Sequence, residues 1–328
     1  MKKIINEPNQ VVTDMLRGLA KANPGIHYSE GLEVISKNEK SGRVGVISGG
    51  GAGHEPAHAG FVGDGMLDAA VTGNVFTSPS PDRIIEGLRR ADSGKGVLMI
   101  IKNYSGDIMN FQLAGEMAEM DNILVDSVVV KDDVAVPDST FSAGRRGIAG
   151  TVFVHKIAGA AKKRDFPLSE VKRAAQKAVD NVRSMGMAMT PCILPAVGKP
   201  GFELGANEME LGMGIHGEPG IRREPMVTAA ELARKLLEPI LTDLDYTNSD
   251  VAVLVNGMGG TPLMELYILY HEVEKILHEQ DIHIYRSLVG NYVTSLDMTG
   301  CSVTLLRLDD ELKLLLSTPC DTPALKIL

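Results

Sequence analysis

The sequence predicts an α/β protein, on three observations. Short apolar runs alternate with helix-period segments along the chain, the pattern of strands separated by helices. Three places share one layout of apolar strand, glycine-rich turn and helix: RVGVISGGGAGHEP (43–56), GVLMIIKNYSGD (96–107) and VAVLVNGMGGTPLMELY (251–267). The 328 residues exceed the usual span of one simple domain and suit one large or two medium ones.

In chain order, strands are expected near 43–48, 97–102 and 123–130, and helices near 81–92, 106–119, 146–163 and 168–184. The stretch SEVKRAAQKAVDNVRSMG has a capping Ser169 at its start and Gly186 at its end, a clean start and stop. A new phase opens with MAMTPCILPAVG, which puts a boundary close to residue 185. Residues 1–185 then form an N-terminal α/β domain with the GGGAGHEP loop, and 186–328 a C-terminal α/β domain. The second half predicts strands near 209–215, 250–255, 283–289 and 301–307, with helices near 228–240 and 261–278. Loops at the C-terminal ends of parallel strands are where ligands bind in α/β sheets, so the three glycine turns are the first places to search. The third turn serves equally well as a plain connection.

Composition narrows the ligand. Hydrophobic residues make up 44% and charged residues 23%, which is ample core material. With 35 glycines, 4% aromatics and no Trp, exposed backbone is a better means of recognition than aromatic stacking. A net charge of -9 and a pI near 5.4 argue against nucleic acid and anionic membrane as partners, and favour a small metabolite. Cys192, Cys301 and Cys320 are too few and too far apart for a disulfide framework or a metal knuckle, so a reducing cytosol is expected. The opening MKKIINEPNQ is no signal peptide and no apolar run is long enough to span a bilayer, so a soluble cytoplasmic protein is expected.

Two tempting motifs fail. Position 54 is His where a dinucleotide fingerprint needs its third Gly, and no Gly-Lys-Ser/Thr follows to make a phosphate loop. His54 to His58 spells H-E-x-x-H, but zinc ligation needs both histidines on one face of a regular helix. Pro56 marks a first helical turn and leaves His54 in the turn before it, so no metal site is expected. What the stretch can do is donate hydrogen bonds: Gly49, Gly50, Gly51 and Gly53 can take positive φ and turn successive N–H groups towards one acceptor.

Four side chains stand out. His54, at the rim of that turn, reads equally as a hydrogen-bonded structural histidine or a catalytic one. Lys102 ends an apolar strand, which would place its charge where the strand opens to solvent, and Asp107 begins a helix whose dipole keeps it ionised. Asp107 is an ordinary cap by itself, yet an ionised Asp near a substrate hydroxyl is also what a kinase needs. His216, between glycines in GMGIHGEPGI, is presented rather than packed. Glu218 could hold one of its ring nitrogens and leave the other free as nucleophile or base.

Six segments, SGGGAGHEP, IIKNYSGD, AGRRGIAGT, GKPGF, NEMELGMGIHGEPGI and YVTSLDMTG, together resemble the K subunit of dihydroxyacetone kinase, in order and over essentially the whole chain. The resemblance implies two α/β domains, each a central sheet flanked by helices, with the substrate site near the domain junction, in a homodimer. On matching positions it implies that His216 binds dihydroxyacetone covalently as a hemiaminal. It further implies that Gly51, Ala52, Gly53 and His54 hydrogen-bond the triose, that Lys102 and Asp107 complete the site, and that His54 and Asp107 give acid–base help. Position 52 is Ala where many relatives have Ser, which leaves its N–H but no hydroxyl.

The covalent link would reject glycerol, which has no carbonyl to attack and which packing alone excludes poorly. The chain ends at Leu328 without a helical nucleotide-binding domain, so the separate bacterial subunit is expected, with no cofactor bound by the chain itself. ADP or ATP and Mg would sit on an ADP-binding L subunit recharged by a phosphotransferase M subunit. A non-catalytic paralogue that binds the triose and acts through a transcription regulator is the alternative.

Overall fold

The computed structural model describes residues 2–137 and 144–328 and contains two six-stranded sheets. The first half runs α1 (Val11–Ala22), β1 (Ile26–Ser29), β2 (Val34–Lys37), β3 (Gly45–Ala52), β4 (Ala69–Val75), α2 (Pro81–Ala91), β5 (Val97–Lys102), α3 (Ser105–Met120) and β6 (Val125–Val130). Its sheet has the order β1-β2-β4-β3-β5-β6. The four strands β4, β3, β5 and β6 are parallel, and the β1–β2 hairpin joins antiparallel at one edge. Central β5 is buried at every position, which is why it reads as an unbroken apolar run up to Lys102.

The chain continues through α4 (Thr151–Lys163) and α5 (Leu168–Asn181) into β7 (Val182–Ala188), β8 (Glu208–Leu211), β9 (Arg222–Pro225) and α6 (Ala229–Asp243). It then forms β10 (Asp250–Gly257), α7 (Leu263–Glu279), β11 (His283–Gly290), β12 (Gly300–Leu308) and α8 (Asp310–Ser317). The second sheet has the order β11-β10-β12-β7-β8-β9 and is antiparallel except for the β10–β11 pair.

One core ties the sheets together. Val46, Leu98 and Ile100 of the first sheet and Ala252, Leu254 and Leu306 of the second belong to a single buried cluster with α4 and α5. Helix α4 is buried from Thr151 to Lys162, and such a helix must be slim on its crowded side. Gly159 meets this need, because a Cβ there would collide with the backbone of Gly65 and Met66.

Several element ends differ from expectation for identifiable reasons. Helix α5 stops at Asn181 rather than near 184, because Val182–Ala188 pair with Leu306–Gly300 of β12. Helix α4 starts at Thr151 rather than 146, because the Asp132 carboxylate accepts the N–H groups of Ile148 and Gly150 and holds that stretch as a loop. Strand β8 ends at Leu211 because Gly212 turns the chain at φ 74°. Strand β3 runs on to Ala52, so the first three glycines lie in a strand and not in a turn. Elements not anticipated include β1, β2, β9 and α8, which are short, β4, which is built largely on small residues, and α1 and β7.

Candidate active site

The glycine run works by close approach. A Cβ on Gly49 would lie 2.5 Å from the Val71 carbonyl, and one on Gly51 2.5 Å from the Thr77 amide, so neighbouring backbone fills the space a side chain would need. Only Gly53 has positive φ, at 101°, and its N–H goes to Glu55 Oε1 at 2.9 Å. The expected cluster of converging glycine N–H donors is therefore not formed.

After Ala52 the chain leaves the sheet, and no α-helix starts at Pro56. A single 3-10 turn, Ala59–Phe61, follows instead. The two histidines of H-E-x-x-H accordingly face different partners: His54 Nδ1 meets the Thr294 carbonyl at 2.8 Å, while His58 Nε2 meets Lys102 Nζ at 2.9 Å. Among the described residues no group of three or more His, Cys, Asp or Glu is arranged to hold a metal ion.

The tautomer of His54 follows from its partner. A carbonyl only accepts, so Nδ1 carries the proton and Nε2 keeps its lone pair. That Nε2 is buried and has no hydrogen-bond partner among the described residues. Burial first, then the charges of His216 and Lys102, hold the His54 pKa well below its ordinary value, so the ring is neutral. The imidazole stacks on Phe76, with centroids 5.0 Å apart.

His216 comes from the loop that follows β8 in the second sheet. Its Nδ1 lies 2.8 Å from Glu218 Oε1, while its own backbone N–H goes to Glu218 Oε2 at 2.9 Å. Burial alone would raise the Glu218 carboxyl, but the hydrogen bond and charge of His216 bring it down to about 2. The ring is one-fifth exposed and edge-on to three others: His54 (4.7 Å), Tyr104 (4.7 Å) and Phe76 (5.3 Å).

Lys102 does not open to solvent as its place at a strand end suggested; it is 1% exposed. Its amine faces His58, the Gly49 carbonyl at 3.4 Å and Asp107 Oδ2 at 3.7 Å. Burial lowers its pKa and Asp107 opposes the shift. Asp107 stands in the first turn of α3, buried, with Oδ1 unpartnered among the described residues. The structure thus brings His54, Lys102, Asp107, His216 and Glu218 together from both sheets. Ala52 stands at the end of β3, where its carbonyl accepts the Phe76 N–H.

The third glycine turn acts as scaffold. Asn256 at the end of β10 accepts the N–H groups of Tyr292 and Val293, and Ser295 N donates to Met258 O. The loop so held grips the first: Leu296 N donates to Gly53 O at 2.8 Å and Thr294 Oγ1 to Glu55 O at 2.9 Å. Thr294, Phe76 and Tyr104 are site residues that motif reasoning did not single out. Thr294 and Tyr104 lie within YVTSLDMTG and IIKNYSGD, so their segments, though not their roles, were readable; Phe76 carries no such signal. Tyr104 Oη is buried without a partner among the described residues, and burial, then Glu218, raises its pKa well above the ordinary value.

A pair of imidazoles, each held at Nδ1 by an oxygen, thus shares the meeting of the two sheets with a buried lysine and aspartate. Residues 17–324 match the Dak1 domain. The chain is 52% identical to the dihydroxyacetone-binding subunit DhaK of a PTS-dependent dihydroxyacetone kinase from Listeria innocua, over 99% of this chain and all of that one. The PEP-dependent counterpart from Escherichia coli is 42% identical over 99% of each. Among solved structures, the C. freundii dihydroxyacetone kinase superposes with TM-score 0.92 at 36% identity, covering 99% of this chain and 60% of that one. A dihydroxyacetone kinase operon co-activator, DhaQ, superposes at 0.91 with 36% identity, covering 97% and 98%. The chain belongs to the Dak1 family, that of the dihydroxyacetone kinase K subunits.

Proposed function

We propose that this chain is the dihydroxyacetone-binding subunit of a phosphotransferase-dependent kinase, holding the ketose covalently on His216 while a hydroxyl is phosphorylated. One observation carries the reading: two imidazoles lie 4.7 Å apart, each with Nδ1 fixed by an oxygen acceptor and no partner for Nε2 among the described residues. The Nε2 lone pair of His216 adds to the ketone carbon. The C=O π pair moves to oxygen, which takes a proton from solvent, while the Nδ1 proton, held on the ring by Glu218 as the bond forms, is released to solvent and leaves a neutral hemiaminal. Neutral His54 and the free oxygen of Asp107 are the groups to receive the proton of the reacting hydroxyl, with Lys102 on a substrate oxygen. The nucleotide belongs to an L subunit, which must also exclude water from the transfer. The M subunit, a homodimer, a cytoplasmic location and a domain boundary near 185 are parts of the same proposal; the change of sheet at Val182 supports the last.

Dihydroxyacetone labelled with ¹³C at the carbonyl tests the anchor. Its NMR signal is expected to move from the ketone to the tetrahedral region on binding, and to stay with the free ketone when His216→Ala is used. An adduct that persists in that variant overturns the assignment. The full-length match to a co-activator favours a second reading, a regulatory paralogue. Turnover with a nucleotide-binding partner subunit and a phosphoenolpyruvate relay separates the two.

A further inference from the structure

His58 is the half of H-E-x-x-H that the proposed chemistry leaves unused, yet it is 5% exposed and its surroundings fix its state. Ser48 Oγ donates its single hydrogen to the Ile100 carbonyl at 2.7 Å, and the same oxygen lies 3.4 Å from His58 Nδ1. With its hydrogen committed, Ser48 can only accept from the ring, so Nδ1 carries the proton. The Nε2 lone pair then points at Lys102 Nζ, 2.9 Å away.

We propose that His58 is a positioning residue for Lys102, and that the chain Ile100 carbonyl, Ser48, His58 aims the lysine amine at the substrate. An ammonium has three N–H groups. His58 takes one and the Gly49 carbonyl, at 3.4 Å, faces a second. The third looks towards Asp107, whose nearest oxygen at 3.7 Å is too far for a direct hydrogen bond. That N–H is left for a ligand oxygen. The remaining walls agree with this arrangement. The His155 ring packs edge-on against His58 with centroids 5.1 Å apart and holds it from the α4 side. On the β3 side the amine fills the space where a Gly50 Cβ would stand. The inference rests on the proposed function only in naming the ligand; the tautomer and the Lys102 contact stand on the free protein.

Two measurements test it. In the ligand-free wild type, ¹⁵N NMR of the histidine rings is expected to show His58 as the neutral Nδ1–H tautomer with an accepting Nε2; an Nε2–H tautomer overturns the proposal. Dihydroxyacetone affinity is then compared for His58→Gln, whose side-chain oxygen reaches the Nε2 position, and His58→Leu, which offers no acceptor. The expected result is near wild-type affinity for Gln and roughly a tenfold loss for Leu, the size of one hydrogen bond to a charged group. Equal affinities for wild type and a folded His58→Leu, or equal losses in both variants, overturn it. A wild type that forms no adduct sinks the function proposed above instead, and the tautomer result still decides the role of His58.

Discussion

The rings of His54 and His216 meet edge-on, centroids 4.7 Å apart at 78°, although one follows β3 of the first sheet and the other β8 of the second. What differs is the oxygen on Nδ1. For His54 it is the neutral carbonyl of Thr294 at 2.8 Å, for His216 the carboxylate of Glu218 at 2.8 Å. A carboxylate supports positive charge developing on the ring it holds, whereas a carbonyl in a buried site supports it far less. The geometry therefore assigns the nucleophile's part to His216 and the weaker base's part to His54 within the proposed mechanism.

Glu218→Gln tests that difference. The amide keeps an oxygen for Nδ1–H but removes the charge, and its NH₂ group would face the His216 backbone N–H that now donates to Glu218 Oε2. The fraction of bound ¹³C-dihydroxyacetone in the tetrahedral form is expected to fall about tenfold or more, in line with a lost charge-assisted hydrogen bond. An unchanged adduct fraction would remove Glu218 from the site.

The long parallel strands and the amphipathic helices could be read from periodicity, because burial on both faces or one face leaves a direct mark on the residue pattern. The place where α5 gives way to β7 could not, since the pairing that runs the length of the strand, from Val182 with Leu306 to Ala188 with Gly300, joins residues more than a hundred positions apart. The candidate site divides in the same way. His54, Lys102, Asp107, His216 and Glu218 were named from local motifs and the family resemblance, and the fold brings them together. The burial of Lys102, and the placing of Thr294 on His54, depend on the second sheet's loop and on the packing of His58, which no local pattern encodes.

Asp107→Asn bears on chemistry rather than binding. The side chain is buried at the first turn of α3 with one oxygen unpartnered among the described residues, and Asn keeps its shape while losing its capacity to take a proton. With a nucleotide-binding partner present, kcat is expected to fall by about 10²–10⁴ while the adduct measured by NMR persists. Turnover near the wild-type rate would take Asp107 out of the mechanism.

Gly50→Ala tests the close-approach reading of the glycine run. The new methyl would occupy the position of Lys102 Nζ and displace the amine from His58 and Gly49. Dihydroxyacetone affinity is expected to drop at least tenfold in a folded protein. Gly18→Ala serves as control: a Cβ there meets nothing within 4 Å on α1, and helix propensity predicts a gain of up to about 1 kcal/mol in stability without change in affinity. Equal affinity in Gly50→Ala and wild type would show that the bare strand is not needed to seat Lys102.

His155 offers a pH test of the core behind the site. Its ring is fully buried on α4, neither nitrogen has a partner among the described residues, and burial, then the charge of Lys102, lowers its pKa to about 3. The unfolded chain takes up this proton near the ordinary histidine pKa of about 6.5, whereas the folded chain refuses it until about pH 3. Its contribution is therefore fully present above about 6.5 and is lost as pH falls, at about 1.4 kcal/mol per pH unit. Asp133, raised to about 6 chiefly by burial, works in the opposite direction, so the wild-type curve alone does not isolate the histidine. The difference between wild type and His155→Leu does, because every other group is common to both. Urea unfolding at pH 7.5, 6.5 and 5 should show the variant gaining about 2 kcal/mol on the wild type between pH 6.5 and pH 5. Parallel stability curves over that range would mean that His155 is protonated in the folded protein, and that the pocket behind His58 is not the apolar one its burial implies.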